Sequence, residues 1–454
     1  MSTWYDKAVF YHIYPLGMTG TPKQNTEPAA ADRFEELDRC IPHMKDLNVS
    51  ALYIGPLFES STHGYDTRDY RLVDRRLGTN RDFRDFVRRC HENGIRVVVD
   101  GVFNHTGREF FAFRDIQEQR EASPYRDWYK GIHFGWGSPM GDSFSYESWH
   151  GIQELPCLNL TNPDVQNYLL DVVRYWVQEF DIDGIRLDCA NVLDFQFMRK
   201  LRGLADSVKP EFWLMGEVIH GEYARWVNDS LLHSVTNYEM HKSIYSAHND
   251  HNYFELAHNV RRLEAVGRDL YTFVDNHDED RIASKLHNKA HLKPVYTLLY
   301  TLPGIPSVYY GSEWGIEGLR SPTSDDVLRP RIDSSEFAER ENELTALIRA
   351  LGQIHLEEPA LHRGLYQELL LTNRQYAFAR CAEGSAVITA ANNDGQPVSL
   401  SIPWKSPELK TPGQAEPWSC TDLLTGRTFP FGQNCILLEL EGNDAVVLRI
   451  TEGQ

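Results

Sequence analysis

No stretch of the 454 residues is apolar for long enough to cross a bilayer as a helix, which takes about 20 residues. No run of lysines and arginines occurs either. The chain carries 65 acidic against 46 basic side chains, a formal charge of −19. Binding to nucleic acid or to anionic membranes works by neutralising phosphates with Lys and Arg, so neither partner is expected. There is no C-x-x-C. The seven cysteines (Cys40, Cys90, Cys157, Cys189, Cys381, Cys420 and Cys435) are odd in number and scattered. That pattern suits free thiols in a reducing cytosol better than a disulfide framework or a zinc site. The first residues, M-S-T-W-Y-D-K-A-V-F, lack the basic and long apolar segments of a secretion signal. A cytoplasmic location is therefore expected, and the sequons at Asn48, Asn159 and Asn228 are read as chance matches. Internal repeats and low-complexity segments are missing too.

What is present is a soluble globular composition, 41% apolar and 12% aromatic. The length predicts two or three domains. Short β-rich apolar runs alternate with longer helical patterns. The runs fall at 9–15, 51–55, 95–100, 182–188, 212–217, 233–237, 271–276 and 305–310, and helices are predicted over 33–47, 82–93, 164–179 and 195–207. Gly94 stands at a helix C-cap position. Eight such units predict the α/β class, a closed (β/α)8 TIM barrel built from 1–104 and 159–358. Residues 105–158, rich in aromatics, Gly and Ser, interrupt the rhythm after strand three and read as a small inserted domain B. From 359 to 454 the pattern changes to short strands with turn signals such as Asn393-Asp394-Gly395 and Thr425-Gly426-Arg427, as in a C-terminal antiparallel β-sandwich.

Four of the strands end in polar residues. Strand three runs into Asp100, Asn104 and His105. Strand four ends at Arg186 and Asp188, strand five at Glu217, and strand seven at Asn276, His277 and Asp278. A polar strand end by itself is a loop start, and an R-x-D by itself is a salt bridge. Convergence of four at the C-terminal mouth is what a catalytic centre in this fold requires. Residues i and i+2 of a strand share a face, so Arg186 points the same way as Asp188 and keeps it ionised. Glu217 lies on the neighbouring strand after apolar Leu214-Met215-Gly216, surroundings that raise a carboxyl pKa. A fixed carboxylate beside a protonated carboxyl is the equipment of glycoside hydrolysis. Asp278 faces the pair from strand seven.

At these residues the chain resembles the α-amylase family of glycoside hydrolases. The motifs are Asp100-Gly-Val-Phe-Asn104-His105, Gly184-Ile-Arg186-Leu-Asp188, Gly216-Glu217-Val218 and Phe273-Val-Asp-Asn276-His277-Asp278, in the family's order and spacing. His63-Gly-Tyr65-Asp66-Thr-Arg-Asp69-Tyr70 is similar to the family's loop after strand two, and 302–313 to its eighth strand. The resemblance implies Asp188 as nucleophile, Glu217 as general acid/base and Asp278 as transition-state stabiliser. It implies substrate binding by Tyr65, Asp66, His105, Arg186, His220 and His277, with Asp325 and Arg329 holding the non-reducing sugar.

Departures from the family narrow the expectation. Where starch-cutting members carry Lys-His after the nucleophile, this chain has Asn191-Val192. The segments Leu155-Pro-Cys-Leu-Asn159, Asp188-Cys-Ala-Asn191 and Glu217-Val-Ile-His220 resemble the neopullulanase and cyclomaltodextrinase branch. The first strand begins near residue 9, which leaves no room before it for that branch's dimer-forming N-terminal domain, so the oligomeric state stays open. The resemblance points to hydrolysis of α-1,4 bonds in maltooligosaccharides or cyclodextrins through a covalent glucosyl-enzyme. Transglycosylation or isomerisation on the same residues, an α-glucosidase, and a partner-binding barrel without catalysis are the alternatives. No cofactor is expected to be required. Asn104 matches a calcium-ligand position of α-amylases, but the Lys-His segment is gone and the loop 17–31 holds no D-x-N-x-D-G. His248, His251 and His258 read as a solvated loop. Trp128, Trp136, Phe144 and Trp149 are equally platforms for sugars or the core of a small domain.

Overall fold

The computed structural model describes residues 3–26, 30–404, 419–432 and 435–451. Residues 27–29 of the first βα loop, and 405–418, 433–434 and 452–454 of the predicted sandwich, lie outside the described residues.

Every predicted barrel run contains a strand: β1 (Phe10–Ile13), β2 (Ala51–Ile54), β3 (Arg96–Gly101), β4 (Gly184–Leu187), β5 (Trp213–Gly216), β6 (Ser234–Val235), β7 (Tyr271–Thr272) and β8 (Ile305–Tyr309). They pair in parallel in the order β6-β5-β4-β3-β2-β1-β8-β7. The ring closes at a parallel bridge between Thr236 and Tyr271, where the Asn237 N–H donates to the Tyr271 carbonyl at 2.8 Å.

The strand period of two sorts the side chains into an inner and an outer layer. Phe10, Tyr53, Val98, Trp213, Met215, Tyr271 and Ile305 pack together inside the barrel. Their neighbours Tyr11, Leu52, Val97, Val99, Ile185, Leu187 and Leu214 face the surrounding helices. In β3 and β4 the same alternation leaves Asp100 and Arg186 pointing inward at the C-terminal end. Gly55, just after β2, makes room for Asp100: a Cβ there would lie 2.5 Å from the Asp100 Cβ.

Local signals fix the helix ends. In α3 (Asn80–Glu92), Thr79 and Asp82 form a reciprocal capping box, and Gly94 follows with φ +76°. In α4 (Pro163–Phe180), the Asn162 side chain caps the Asp164 N–H, Pro163 occupies the first turn, and Asp181 ends the helix in the left-handed region. The single helix predicted over 33–47 is instead two, α1 (Phe34–Asp38) and α2 (Cys40–Asp46). Pro42 has no N–H to offer the Asp38 carbonyl four residues back, so the ladder breaks there. The histidine-rich stretch is also not a solvated loop. His248 is fully buried in α6 (Tyr238–Asn249), the helix that follows α5 (Phe195–Val208), with Nδ1 2.7 Å from the Ile244 carbonyl and Nε2 3.1 Å from the Tyr253 hydroxyl.

Residues 105–158 hold one helix longer than a turn, Phe111–Gln119, and otherwise isolated bridges. Aromatic packing replaces a sheet. Phe113 meets Tyr129, Phe144 and Tyr146 edge-on or tilted at 5.0–5.7 Å, and Phe111 meets Trp128 at 5.8 Å.

The C-terminal region is a two-layer antiparallel sandwich. One sheet holds β9 (Leu365–Leu371), β10 (Gln375–Ala382), β11 (Ser385–Asn392), β17 (Asp444–Thr451), β13 (Ser419–Asp422) and β14 (Thr428–Phe429) in that order. The other holds β12 (Val398–Pro403), β16 (Cys435–Leu440) and β15 (Phe431–Gly432). Alternation again divides the faces. Tyr376, Phe378, Val387 and Val447 join the core of the barrel, while Ala377, Ile388, Val446 and Leu448 pack on Leu400, Ile402, Ile436 and Leu438 of the second sheet.

Candidate active site

The inward-facing ends of β3 and β4 set a single guanidinium among three carboxylates. Arg186 is buried. Its Nη1 donates to Asp100 Oδ1 at 3.0 Å and to Asp188 Oδ1 at 2.9 Å, and its Nη2 lies 2.9 Å from Glu217 Oε1. Register explains the arrangement. Leu187 pairs with Gly216, so the residues that follow, Asp188 and Glu217, leave adjacent strands side by side. The Glu217 N–H continues that ladder to the Leu187 carbonyl at 2.9 Å.

The remaining oxygens are nearly all engaged. The Cys189 N–H donates to Glu217 Oε2 at 3.0 Å, and the Cys189 thiol donates to Asp188 Oδ2 at 2.8 Å. Burial and the adjacent Asp188 push that thiol well up, so it stays protonated. Tyr53 donates to Asp100 Oδ2 at 2.8 Å. The Tyr238 hydroxyl stands 3.4 Å from Glu217 Oε1 and accepts from the Asn276 amide at 3.2 Å. Burial raises the Glu217 pKa, Arg186 opposes it, and the nearby Asp188 and Asp278 charges raise it further; the net direction is up.

Asp278 comes from the loop after β7. Burial would raise its pKa, but His277, Arg329 and Arg186 together hold it far below the usual carboxylate range. Its Oδ1 accepts from Arg329 Nη2 at 2.6 Å and its Oδ2 lies 3.0 Å from His277 Nε2. Arg329 Nη2 also reaches Asp325 Oδ2 at 3.3 Å, and Arg320 Nε binds Asp325 Oδ1 at 2.8 Å. Tyr65 lies over His277, ring centroids 5.8 Å apart and planes 15° apart, with its hydroxyl against His277 Nε2.

These groups line a cleft of about 410 Å³. Its walls include Tyr65, His105, Asp188, Cys189, Glu217, Tyr238, Asp278, Asp325 and Arg329. Trp149, His150, Ile152 and Leu155 of the inserted region close one side, and the Trp149 ring stacks on His105 at 6.0 Å. Burial lowers the His105 pKa, so its ring is neutral. Arg186 and His277 lie just behind the lining, through Asp188, Glu217 and Asp278.

Two further residues expected at the site do not line the cleft. The Asp66 carboxylate accepts from the Thr62 N–H at 3.1 Å and the Thr62 hydroxyl at 2.7 Å, shaping its own loop. His220 is exposed and outside the cleft lining. Asn191 and Val192 are exposed on the turn Ala190–Val192. The aromatic residues of the inserted region divide by role: Trp128 and Phe144 are core, Trp136 is 70% exposed, and Trp149 reaches the cleft. Sequence reasoning passed over Tyr53, Tyr238 and the Cys189 thiol. A tyrosine inside the otherwise aliphatic run A-L-Y-I was the available signal for the first.

The Asn104 amide nitrogen lies 3.2 Å from His105 Nδ1 and 4.0 Å from Cys157 Sγ. Among the described residues one cluster of three His, Cys, Asp or Glu side chains brings its ligand atoms together, His105, Asp188 and Cys189, a mixed set with a single carboxylate.

Comparison with known proteins identifies the family. The family model for the alpha amylase catalytic domain matches residues 37–355. A cyclomaltodextrinase of Thermoanaerobacter pseudethanolicus is 32% identical over 416 residues, covering 87% of this chain and 71% of that protein. Neopullulanase 2 of Thermoactinomyces vulgaris is 32% identical over 433 residues, covering 88% and 72%. Among solved structures, a cyclomaltodextrinase superposes with a TM-score of 0.84 at 25% identity, covering 98% of this chain and 78% of the other. A debranching enzyme of Nostoc punctiforme soaked with acarbose gives 0.81 at 27% identity, covering 99% of each. With seven-tenths of its length matched by the family model, and a barrel whose strand ends carry the family's motifs, the chain belongs to the α-amylase family of glycoside hydrolases.

Proposed function

We propose that this protein is a cytoplasmic, retaining hydrolase of α-1,4-glucosidic bonds in short maltooligosaccharides and cyclodextrins. The observation that carries the mechanism is the single Arg186 guanidinium bonded to both Asp188 and Glu217. Asp188 and Glu217 directly follow the paired residues Leu187 and Gly216 on adjacent strands, which run about 4.8 Å apart, close to the roughly 5 Å spacing of a retaining pair; an inverting pair needs about 6.5–9.5 Å to admit water. Asp188 attacks the anomeric carbon while Glu217, its pKa raised, protonates the departing glycosidic oxygen. Glu217, now ionised, takes a proton from the water that releases the glucosyl-enzyme. Asp278, held ionised by Arg329 and His277, faces the positive charge that develops on the ring. His105, Tyr65, Asp325 and Arg329 offer contacts to the sugar. The relatives' names, cyclomaltodextrinase and neopullulanase, support the substrate class. An intracellular maltogenic amylase of Bacillus subtilis, 30% identical over 342 residues, supports the location.

The same glucosyl-enzyme resolved by a sugar hydroxyl gives transglycosylation or isomerisation, so products decide. The test incubates the protein with cyclodextrins, pullulan, maltotriose, soluble starch, sucrose and maltose. Rapid ring opening with slow attack on starch is expected; trehalose from maltose with little glucose would overturn the proposal. Asp188→Asn and Glu217→Gln should each lower turnover by on the order of 10³-fold or more with the barrel folded. Activity near wild type in either variant would refute the assigned roles.

A further inference from the structure

Directly after Asp278, the cleft wall carries a second carboxylate, Glu279, that neither the strand-end motifs nor the mechanism above employs. It is anchored from behind. Its Oε2 accepts from Lys285 Nζ at 2.5 Å and lies 3.4 Å from His241 Nε2; Lys285 Nζ is in turn 2.9 Å from His241 Nε2 and 4.7 Å over the Tyr245 ring. Burial pushes the Glu279 pKa up, but His241 and Lys285 outweigh it and bring it to about 2, so the group is ionised. Among the described residues no group bonds the other oxygen, Oε1. A carboxylate fixed at one oxygen and open at the other, on the wall of a sugar cleft, is an acceptor for hydroxyl groups.

Helix α6 gives its position relative to the chemistry. Tyr238 at the start of the helix touches Glu217, and His241, three residues on and on the same face, touches Glu279. The two rings are 6.2 Å apart, so one face of α6 serves both carboxylates and sets Glu279 on the side of the cleft where Tyr238 meets the proposed general acid. The sugar that leaves is the one whose glycosidic oxygen Glu217 protonates, so a carboxylate on the Glu217 side of the cleft is placed to meet that sugar's hydroxyls.

We propose that Glu279 is a specificity-determining residue whose Oε1 accepts a hydrogen bond from a hydroxyl of the leaving, or incoming acceptor, sugar, with Lys285 and His241 as its positioning residues. This rests on the retaining-hydrolase reading above. The assignment makes the leaving-group side of the cleft selective for sugars over aryl groups and over water, and so favours transfer to sugar acceptors.

The test compares wild type with Glu279→Gln on two substrates. Maltotriose is cleaved with a sugar as the leaving group; 4-nitrophenyl α-maltoside, followed by release of 4-nitrophenol, has an aryloxy leaving group with no further hydroxyl to donate. Loss of one charge-assisted bond is expected to cost kcat/KM for maltotriose about tenfold more than for the aryl maltoside, and to lower the ratio of transfer to hydrolysis with added glucose. Lys285→Met should move both readouts the same way, less strongly. Equal losses on the two substrates, or no loss on either, with thermal melting unchanged, would overturn the assignment. Should Glu279→Gln fold poorly, Glu279→Asp, which keeps the charge but withdraws it, must show the same substrate bias. A wild-type protein inactive on both substrates would instead remove the hydrolase reading, and this assignment with it.

Discussion

Replacing Arg186 with lysine tests the centre of the site with the least disturbance to the barrel. The charge survives, but a compact ammonium cannot present two forked nitrogens to carboxylates on adjacent strands. Of the bonds to Asp100, Asp188 and Glu217, the first two lie on the same nitrogen, and Glu217 depends on the other alone. The lysine therefore keeps Asp100 and Asp188 and releases Glu217. One charge-assisted bond is worth about 1.5–3 kcal/mol, so kcat/KM should fall by roughly 10- to 150-fold on maltotriose. The sign of the pH effect follows from the same contact. Arg186 is the chief influence lowering the Glu217 pKa against burial, so loosening it lets that pKa climb. The proposed general acid then stays protonated to higher pH, and the alkaline limb of the kcat/KM profile moves up. Melting should drop by only a few degrees, because the two carboxylates nearest the new ammonium remain paired. The assay is initial rates across pH, with a melting curve for each protein. Activity within twofold of wild type and an unmoved alkaline limb would refute the claim that one guanidinium organises the pair.

Three further outcomes are expected. In the wild type the alkaline limb of kcat/KM should lie above the ordinary glutamate value of about 4.3, since Glu217 is raised and must be protonated to act; a pH–rate profile on an aryl maltoside reads it. Trp149→Ala removes the ring that stacks on His105 across the cleft mouth and should raise KM for cyclodextrins by about tenfold, from roughly 1.5 kcal/mol of lost apolar contact, as measured by steady-state kinetics. Treatment with a chelator should leave activity and melting temperature unchanged, because the loop 17–31 carries no D-x-N-x-D-G and Asn191-Val192 replace the Lys-His segment; activity assays and differential scanning fluorimetry check it.

The barrel was legible because its signal is periodic and repeated. Eight apolar runs separated by helical patterns admit few architectures, and alternation within V-V-V-D and G-I-R-L-D dictates that Asp100 and Arg186 face inward. The neighbourhood of Asp188 and Glu217 follows from consecutive strands in a parallel ring. Side chains on turns were less legible. Tyr238 reaches Glu217 only because β6 is two residues long and α6 begins at once, a phase no sequence pattern marks. Asp66 and His220 stand beside motif residues, yet one bends back to Thr62 and the other faces solvent, since a loop carries no period to fix direction. The break at Arg39 was readable from Pro42. The burial of His248 was not, because the helix start that carries it inward depends on the same short strand.

The closure of the barrel at one bridge between Thr236 and Tyr271 divides the cleft into halves of unequal stiffness. Asp100, Asp188 and Glu217 rise from β3, β4 and β5, which share continuous ladders of paired residues. Tyr238, Asp278 and Glu279 rise from β6 and β7, two-residue strands that meet at a single point. Fewer ladder bonds mean a smaller free energy of local opening. Asp188 and Glu217, the proposed nucleophile and acid, thus stand on the fully laddered half, and the groups proposed to face the sugar's charge and hydroxyls on the other. On the proposed reading, the β6–β7 seam is where the ring gives most readily to substrates of different curvature, while the spacing of the catalytic pair is held by the ladders of β3 to β5.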